Sequence, residues 1–234
     1  MASVVIFGGG IGSRMKLNVP KQFMIVDGRP ILSWTIDYFE HNENIDKIVL
    51  VILKSYIEYT QNLVKKENFS KVKRIVAGGA TGQESIYNGL IALREISSNE
   101  DDIVFVHDAV RPIITNDLIN QCAKIAIEKG NAIAASQAIE TVAICDENKQ
   151  IQKISQRSKT WILKAPQVFR LNSLLHFHEI SKEKNLNFVD SADMMQHFGE
   201  KLNVVECDQS NIKITTAKDK ELSSILLNHQ KTIR

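Results

Sequence analysis

The sequence predicts an α/β protein with a mostly parallel β-sheet that is covered by helices on both faces. Three observations support this fold class. Short β-branched runs alternate with amphipathic segments from the start of the chain. The strand-like runs are apolar throughout, as in strands that are buried on both faces. The 234 residues, with 44% hydrophobic and 24% charged side chains, have the composition of an ordinary globular protein.

Up to about residue 136, a helix separates each of the later strands from the one before it. The predicted strands cover residues 4–7, 45–53, 72–76, 103–106 and 132–136. The predicted helices cover residues 31–40, 57–66, 83–95 and 115–129. Because ligands bind beyond the carboxyl ends of the strands in such sheets, we expect the chemistry in the loops after Phe7, Val76 and Val106.

The pattern changes between about residues 141 and 161. Side chains alternate with period two in 141–145 and again in 150–154, with a polar turn between the two segments, which is typical of a β-hairpin. A two-stranded element is barely stable alone, so we expect an arm at about 140–162 that packs on a second copy of the chain. The α/β pattern then returns, with helices at 171–184, 190–197 and 218–227 and a strand at 202–207. No linker divides the chain, so we predict one domain over residues 1–234.

Composition and charge exclude several classes of function. The longest apolar runs are far shorter than the roughly 20 residues of a membrane span, and no secretory signal is visible, so we expect a cytoplasmic protein. A net charge of +2 gives no electrostatic reason to expect nucleic acid or membrane partners. The three cysteines, Cys122, Cys145 and Cys207, are far apart in the sequence, which argues against disulfides and structural zinc.

The most informative segment follows the first predicted strand and reads Phe7-Gly-Gly-Gly-Ile-Gly-Ser-Arg-Met-Lys. Four glycines within five positions let backbone N–H groups approach an anion closely. Their spacing fits neither the dinucleotide fingerprint nor the Walker phosphate loop. The segment also carries two cations, Arg14 and Lys21, which would suit a triphosphate. It therefore indicates a phosphate site, with a tight turn that binds no ligand as the alternative.

A second cluster ends the strand at 103–106 and reads His107-Asp-Ala-Val-Arg-Pro. An acid at the carboxyl end of a central strand can hold a divalent cation on a nucleotide, which makes Asp108 a candidate metal ligand. Arg111 could bind a second phosphorylated substrate. The simpler alternative is that Asp108 and Arg111 form a pair that caps the loop. For His107 we expect packing or hydrogen bonding and no catalytic role.

Two further segments are ambiguous from their residues alone. The glycine loop of residues 78–85 lies between a predicted strand and a helix, and its backbone and Ser85 could bind a base or a ribose. A helix-capping turn is the alternative. Lys213 lies in an alternating apolar segment, where a lysine either reaches a ligand or extends into solvent.

Taken together, these motifs resemble the cytidylyltransferases of 2-C-methyl-D-erythritol 4-phosphate and of ribitol 5-phosphate. The resemblance spans about residues 3–228 and rests on the first glycine loop with Pro20-Lys-Gln, Gly78-Gly79 with Ser85, the 107–112 motif, Pro166-Gln167, Asp190 and Asn211-Ile-Lys-Ile-Thr. It implies a Rossmann-like nucleotidyltransferase fold, a homodimer built by the hairpin arm, CTP as a substrate, Mg²⁺ as a cofactor and release of pyrophosphate.

The resemblance also implies a role for each matching residue. Arg14, Lys21 and Lys213 would act on the phosphates in catalysis. The nucleotide would be bound by Phe7, Gly8, Gly9, Gly10, Gly12, Gly78, Gly79, Ser85, Asp108 and Ala109, with Asp108 also beside the metal. The acceptor would be bound by Arg111, Thr141, Arg157 and Asp190, with Thr141 and Arg157 reaching across the dimer.

Four positions depart from the family pattern. Gly82 stands where these enzymes usually have arginine, Lys164-Ala-Pro-Gln replaces Gln-Thr-Pro-Gln, and Val189 replaces a threonine that lines the acceptor site of the methylerythritol enzymes. A site built for a hydroxyl discriminates strongly against a mismatched partner, so the acceptor could be neither standard substrate. The Gly-Gly start and the Lys-Ile-Thr-Thr ending favour ribitol 5-phosphate.

Several alternatives stay open at this level. The acceptor could be 2-C-methyl-D-erythritol 4-phosphate, or a different nucleotide or acceptor, such as a hexose 1-phosphate, could be used. A dinucleotide-dependent oxidoreductase is disfavoured by the glycine spacing. A nucleotide-binding module without turnover would have little use for three separated cations and Asp108.

Overall fold

A seven-stranded sheet lies at the centre of the fold. The structure, a computed structural model, describes residues 2–8, 19–97, 99 and 102–233. The strands of the sheet are β1 (Ala2–Gly8), β4 (Ile45–Ile52), β5 (Val72–Ala77), β6 (Ile103–Asp108), β7 (Asn131–Gln137), β10 (Trp161–Arg170) and β11 (Val204–Glu206). They lie side by side in the order β11-β7-β10-β6-β1-β4-β5. The short strands β2 (Ile25–Val26) and β3 (Arg29–Pro30) pair with each other outside it.

The pairing within the sheet is parallel except at one strand. β1 runs parallel to both β4 and β6, β4 to β5, and β7 to β11, whereas β10 lies antiparallel between β6 and β7. The predicted α/β fold with a mostly parallel sheet is confirmed. β10 was not among the predicted strands.

Helices cover both faces of the sheet. They are α1 (Ile31–Glu40), α2 (Ile57–Lys66), α3 (Gly82–Arg94), α4 (Asn116–Lys129), α5 (Leu171–Glu183), α6 (Ser191–His197) and α7 (Ala217–Ile233). Because successive strand side chains point to opposite faces, Val4 and Ile6 of β1 pack into one apolar cluster and Val5 packs into the other. All three are fully buried, which explains why the strand is apolar throughout.

Helix α3 lies unusually close to the sheet. A Cβ atom at Gly89 would lie only 2.5 Å from the side chain of Val5 and 2.6 Å from that of Val51, so any larger residue would push the helix away. The start of α3 is fixed by Thr81, whose side chain accepts a hydrogen bond from the Glu84 N–H. These contacts hold the glycine loop that precedes α3 against the carboxyl edge of the sheet.

The predicted hairpin is present. Strands β8 (Ala143–Cys145) and β9 (Ile151–Ile154) form a separate antiparallel pair whose residues are all exposed. Among the helices that the structure describes, none is long and apolar enough to cross a membrane.

Candidate active site

Two cavities open side by side at the carboxyl edge of the sheet. Strands β1, β4, β5 and β6 run parallel, so their carboxyl ends lie at the same edge of the sheet. The last residues of β1, β5 and β6 are Gly8, Ala77 and Asp108. The larger cavity has a volume of about 410 Å³ and the smaller one about 290 Å³, which is at the lower end of the range for small-molecule sites. The described residues Phe7, Gly82, Asp108 and Lys213 line both cavities. The cavities therefore meet at these residues.

The larger cavity is lined by residues at the carboxyl ends of β1 and β6 and in the glycine loop that follows β5. Its described lining is Phe7, Gly8, Lys21, Gln22, Gly79, Ala80, Thr81, Gly82, Ser85, Asp108, Val110, Lys213, Ile214 and Thr215. Most of the predicted nucleotide-binding residues in the described ranges are in this set. Gly78, whose N–H donates to the carbonyl of Ile52, lies next to it in the chain.

Close backbone packing explains the glycine at position 8. A Cβ atom there would lie 2.7 Å from the Cβ of Ala109, too close for any side chain. Ala109 itself is fully buried, and its N–H donates to the carbonyl of Phe7. The Gln22 amide donates to the Gly8 carbonyl at 2.6 Å. Gly8 and Ala109 thus bring the ends of β1 and β6 together and shape the floor of the larger cavity.

The buried hydroxyl of Ser85 shapes the second glycine loop. Its Oγ accepts a hydrogen bond from the Gly79 N–H at 3.0 Å and donates to the Thr81 carbonyl at 2.8 Å. The Glu84 carboxylate accepts from the Ala80 N–H at 2.7 Å. Ser85 therefore holds the loop in shape, which is a positioning role that the sequence did not reveal.

Lys21 lies in the wall of the larger cavity. Its ammonium donates to the carbonyl of Thr215 at 2.8 Å, 194 residues away in the sequence. Thr215 in turn is held by Asp219, whose carboxylate accepts from the Thr215 N–H and hydroxyl at 2.8 and 2.9 Å. Lys21 and the segment that carries Lys213 are thereby joined across the cavity.

Asp108 connects two cations at the junction of the cavities. Its Oδ2 accepts from the Arg111 Nε at 3.1 Å, and its Oδ1 lies 2.6 Å from the Lys213 Nζ. Burial acts to raise the pKa of this carboxyl, but Arg111 and Lys213 outweigh burial and hold the pKa below its usual value. Asp108 is therefore a carboxylate at neutral pH.

His107 is packed inside the protein, as predicted. Its Nε2 lies 3.0 Å from the Arg111 carbonyl, and its ring meets Phe39 edge to face. Its Nδ1 is buried and has no hydrogen-bond partner among the described residues. Only the Nε2–H tautomer satisfies this arrangement, because a carbonyl needs a donor. Burial lowers the pKa of His107 to about 4, so the ring is neutral at pH 7.

The smaller cavity contains the predicted acceptor residues Arg111 and Asp190. The Arg111 Nη1 donates to the Asn211 carbonyl at 2.8 Å. Asp190 accepts from the Asp193 N–H at the start of α6 and from the Gln167 amide at 2.9 Å. Gln167 also accepts from the Ala192 N–H at 3.0 Å, which ties α6 to β10. The motif Pro166-Gln167 was noted in the sequence, but this linking role was not.

The other predicted site residues lie elsewhere. Thr141 and Arg157 are hydrogen-bonded to each other at 3.3 Å near the base of the hairpin and line neither cavity. Gly9, Gly10, Gly12 and Arg14 lie outside the described residues. Of the positions that depart from the family pattern, Gly82, Lys164 and Val189 all line the smaller cavity. A Cβ atom at Gly82 would meet nothing within 4 Å, so the glycine leaves open space where the cavities meet.

Comparisons with known proteins agree with this geometry. The model of the family IspD: 2-C-methyl-D-erythritol 4-phosphate cytidylyltransferase matches residues 2–229. The ribitol-5-phosphate cytidylyltransferase of Streptococcus agalactiae serotype III is 40% identical over 217 residues, which cover 92% of this chain and 90% of that protein. The 2-C-methyl-D-erythritol 4-phosphate cytidylyltransferase of Clostridium botulinum (strain Langeland) is 36% identical over 225 residues, or 96% of each chain.

Among solved structures, the 4-diphosphocytidyl-2C-methyl-D-erythritol synthase from Anaerococcus prevotii superposes with a TM-score of 0.84 at 26% identity, covering 97% of this chain and 96% of that one. The family model and the relatives therefore agree over nearly the whole length of the chain. On this evidence the chain belongs to the IspD family of cytidylyltransferases, and it is a CTP-dependent nucleotidyltransferase.

Proposed function

We propose that the protein transfers CMP from CTP to D-ribitol 5-phosphate, giving CDP-ribitol and pyrophosphate. The observation that carries this proposal is the junction at which Asp108 and Lys213 line both cavities. CTP would occupy the larger cavity, and the acceptor would occupy the smaller one. The reacting phosphate of the acceptor and the α-phosphate of CTP would then meet beside Lys213.

The mechanism is direct in-line displacement. An oxygen of the acceptor phosphate attacks the α-phosphorus, the bond to the β-phosphate oxygen breaks, and pyrophosphate leaves on the opposite side. At about 4 Å, two unit negative charges repel by about 4 kcal/mol at an effective dielectric of 20, so cations at the meeting point are the main requirement. Lys213 would act there, and Lys21 would act on the phosphates in the larger cavity. The acceptor phosphate is ionised near neutral pH, so no general base is needed.

Mg²⁺ is the proposed cofactor, and Asp108 would hold it together with the CTP phosphates. Among the described lining residues of the larger cavity, Asp108 is the one carboxylate, and no cluster of three metal-ligating side chains occurs in the described residues. Mg²⁺ is usually held by one or two carboxylates, substrate phosphates and water, so a lone aspartate fits. When bound, the ion would neutralise phosphate charge.

The choice of ribitol 5-phosphate is supported by two observations. The ribitol-5-phosphate cytidylyltransferase of Streptococcus agalactiae is 40% identical to this chain, and the methylerythritol enzyme of Clostridium botulinum is 36% identical. The smaller cavity has Val189 at the position of a threonine that lines the acceptor site of the methylerythritol enzymes, so it lacks that hydroxyl group. Transfer to 2-C-methyl-D-erythritol 4-phosphate is the second candidate, because the family model and several relatives carry that description.

We also propose a cytoplasmic homodimer built by the hairpin arm. Ile154 lies opposite Ala143 and Ile151 opposite Cys145, and directly opposite residues share a face of a sheet. A bulge at Gln152 therefore puts both isoleucines on one face, where Ile151 is 63% exposed and Ile154 is 62% exposed. An exposed apolar face on a two-stranded element favours contact with a second copy. That contact would bring Thr141 and Arg157 to the partner's acceptor.

The experiment is pyrophosphate release by the purified protein with Mg²⁺, tested with CTP, ATP, GTP and UTP against ribitol 5-phosphate, methylerythritol 4-phosphate and a hexose 1-phosphate. We expect the highest kcat/KM with CTP and ribitol 5-phosphate, with CDP-ribitol identified by mass spectrometry. A higher kcat/KM with methylerythritol 4-phosphate would replace the proposed acceptor. No turnover with any pair would contradict the proposal.

A further inference from the structure

Lys164 of β10 lines the smaller cavity, and no role has been assigned to it so far. Its ammonium donates to the carbonyl oxygens of Asp208 and Gln209, at 3.2 and 3.0 Å. A lysine ammonium has three N–H donors, so two bonds leave a third donor available. The side chain is held at the cavity by neutral partners and keeps one donor for a ligand.

Among the described cationic side chains that line the smaller cavity, Lys164 is the one that forms no salt bridge. The charged side chains in its described lining are Asp108, Arg111, Lys164, Asp190 and Lys213, which gives one more cation than anion. Asp108 pairs with both Arg111 and Lys213, while Asp190 accepts from the Gln167 amide and caps α6. Within the described part of the chain, Lys164 takes part in no ion pair.

The surroundings of Lys164 make the charge of its ammonium costly. Burial is the largest influence and lowers the pKa of Lys164 below its usual value. The Arg111 guanidinium lowers that pKa further, and the Asp208 carboxylate offsets part of the shift. An anion in the cavity would offset both lowering effects, since an ion pair is stronger where water is partly excluded. The cavity is therefore better suited to an anionic ligand than to a neutral polyol.

We propose that Lys164 binds the phosphate group of the acceptor and so selects phosphorylated acceptors over neutral ones. The inference rests on the proposed function and deepens it, because it assigns phosphate recognition to a residue at which this chain departs from the family pattern. Lys213 would remain the cation at the reacting phosphorus, while Lys164 would contribute to binding the acceptor before and during the reaction.

A purely structural role for Lys164 makes a different prediction. If the ammonium only tied residues 208–209 to β10, its loss would displace the following segment, which carries Lys213 and Thr215. Lys213 and Thr215 also line the larger cavity, so the KM for CTP and kcat would both change. A contact with the acceptor, made equally in the ground state and the transition state, changes mainly the KM for the acceptor.

The test compares Lys164→Gln and Lys164→Arg with the wild type, using CTP and ribitol 5-phosphate. Loss of one charged hydrogen bond should raise the KM for ribitol 5-phosphate by about tenfold or more, with the KM for CTP and kcat changed by less than about threefold. The arginine variant should recover most of the loss. Lys124→Gln, which changes an exposed lysine of α4, is the matched control and should leave all three constants unchanged.

A binding measurement distinguishes recognition of the phosphate from recognition of the rest of the acceptor. Wild-type protein should bind ribitol 5-phosphate more tightly than ribitol, and Lys164→Gln should reduce that difference. In unmodified wild-type protein, ribitol 5-phosphate should protect Lys164 from an amine-reactive reagent, as measured by mass spectrometry, even if the glutamine variant does not fold.

Three results would overturn the assignment. The KM for ribitol 5-phosphate could be unchanged in Lys164→Gln, or the variant could bind ribitol and ribitol 5-phosphate more weakly by the same factor. The third result is that ribitol 5-phosphate does not protect Lys164 from the amine-reactive reagent. If the wild type turned over neither ribitol 5-phosphate nor 2-C-methyl-D-erythritol 4-phosphate, the proposed function would fail instead. The two failures are therefore distinguishable.

Discussion

At the scale of single residues, the central feature is the carboxylate of Asp108, which holds one cation on each oxygen. The Arg111 side chain and the Asp108 side chain are each only 9% exposed, whereas Lys213 is 47% exposed. Arg111 is therefore a fixed part of the wall, and Lys213 has room to leave Asp108 for a phosphate. Because of this difference in burial, we assign a structural role to the Asp108–Arg111 pair and a role in the reaction to Lys213.

We expect Lys213→Ala to slow turnover by about a hundredfold or more, because a cation at the reacting phosphorus contributes about 3 kcal/mol of transition-state stabilisation. Lys21→Ala should have an effect of similar size. Both are checked by kcat with saturating CTP and acceptor. Lys124→Ala on the surface of α4 is the control. Near-normal kcat in correctly folded variants would remove both lysines from the mechanism.

Asp108→Asn should lower the free energy of unfolding by about 3 kcal/mol at pH 7, because it leaves the buried Arg111 without its counter-ion. The folded-state pKa of Asp108 is depressed, so this stabilisation is fully present above the ordinary carboxyl pKa of about 3.9 and is lost as the pH falls toward the lower, folded-state value. Urea unfolding at pH 7 and pH 3 measures the difference between variant and wild type.

The matched control for this prediction is Asp46→Asn, which removes a partly exposed pair with Lys47 at 2.8 Å. Exposed pairs contribute about 1 kcal/mol or less, so the control should have a small effect at both pH values. A gap for Asp108→Asn that is equally large at pH 3 and pH 7 would show that the charge of Asp108 is not its cause.

At the scale of secondary-structure elements, the hairpin carries the proposed dimer. We expect Ile151→Asp and Ile154→Asp to convert a dimer into a monomer of 26.4 kDa, because each places a charge in the shared apolar face. Sedimentation velocity measures the change. Ile127→Asp is the matched control, since Ile127 is 62% exposed on α4, away from the arm. A monomeric wild type, or equal dissociation of the control, would contradict the proposal.

Helices whose sequence pattern is local could be predicted from the sequence. Strand β10, which depends on pairing with distant strands, could not. Helices α1 and α2 have the predicted bounds because their apolar spacing and their ends are local. Strand β10 was missed because Pro166 argues against a strand interior. The pairing of β10 with β7 shifts register between Leu163 and Gln167, and this irregularity accommodates the proline.

At the scale of the whole molecule, the sequence predicted which loops meet but not how their side chains are used. The parallel sheet brings the loops after Phe7 and Val106 to one edge, so their convergence followed from topology. The roles of Gln22 and Gln167 depend on hydrogen bonds to partners that are 14 and 23 residues away in the sequence. Such partners have no signal in a single sequence.

The central claim is that CTP and the acceptor occupy two cavities that meet at Asp108 and Lys213. A crystal structure with an unreactive CTP analogue, Mg²⁺ and ribitol 5-phosphate tests it most directly, through the distance from the acceptor phosphate oxygen to the α-phosphorus. We predict an in-line approach at about 3–3.5 Å beside Lys213, with the nucleotide against Gly8 and Ser85. A nucleotide bound outside the larger cavity, or an acceptor phosphate far from Lys213, would contradict the account.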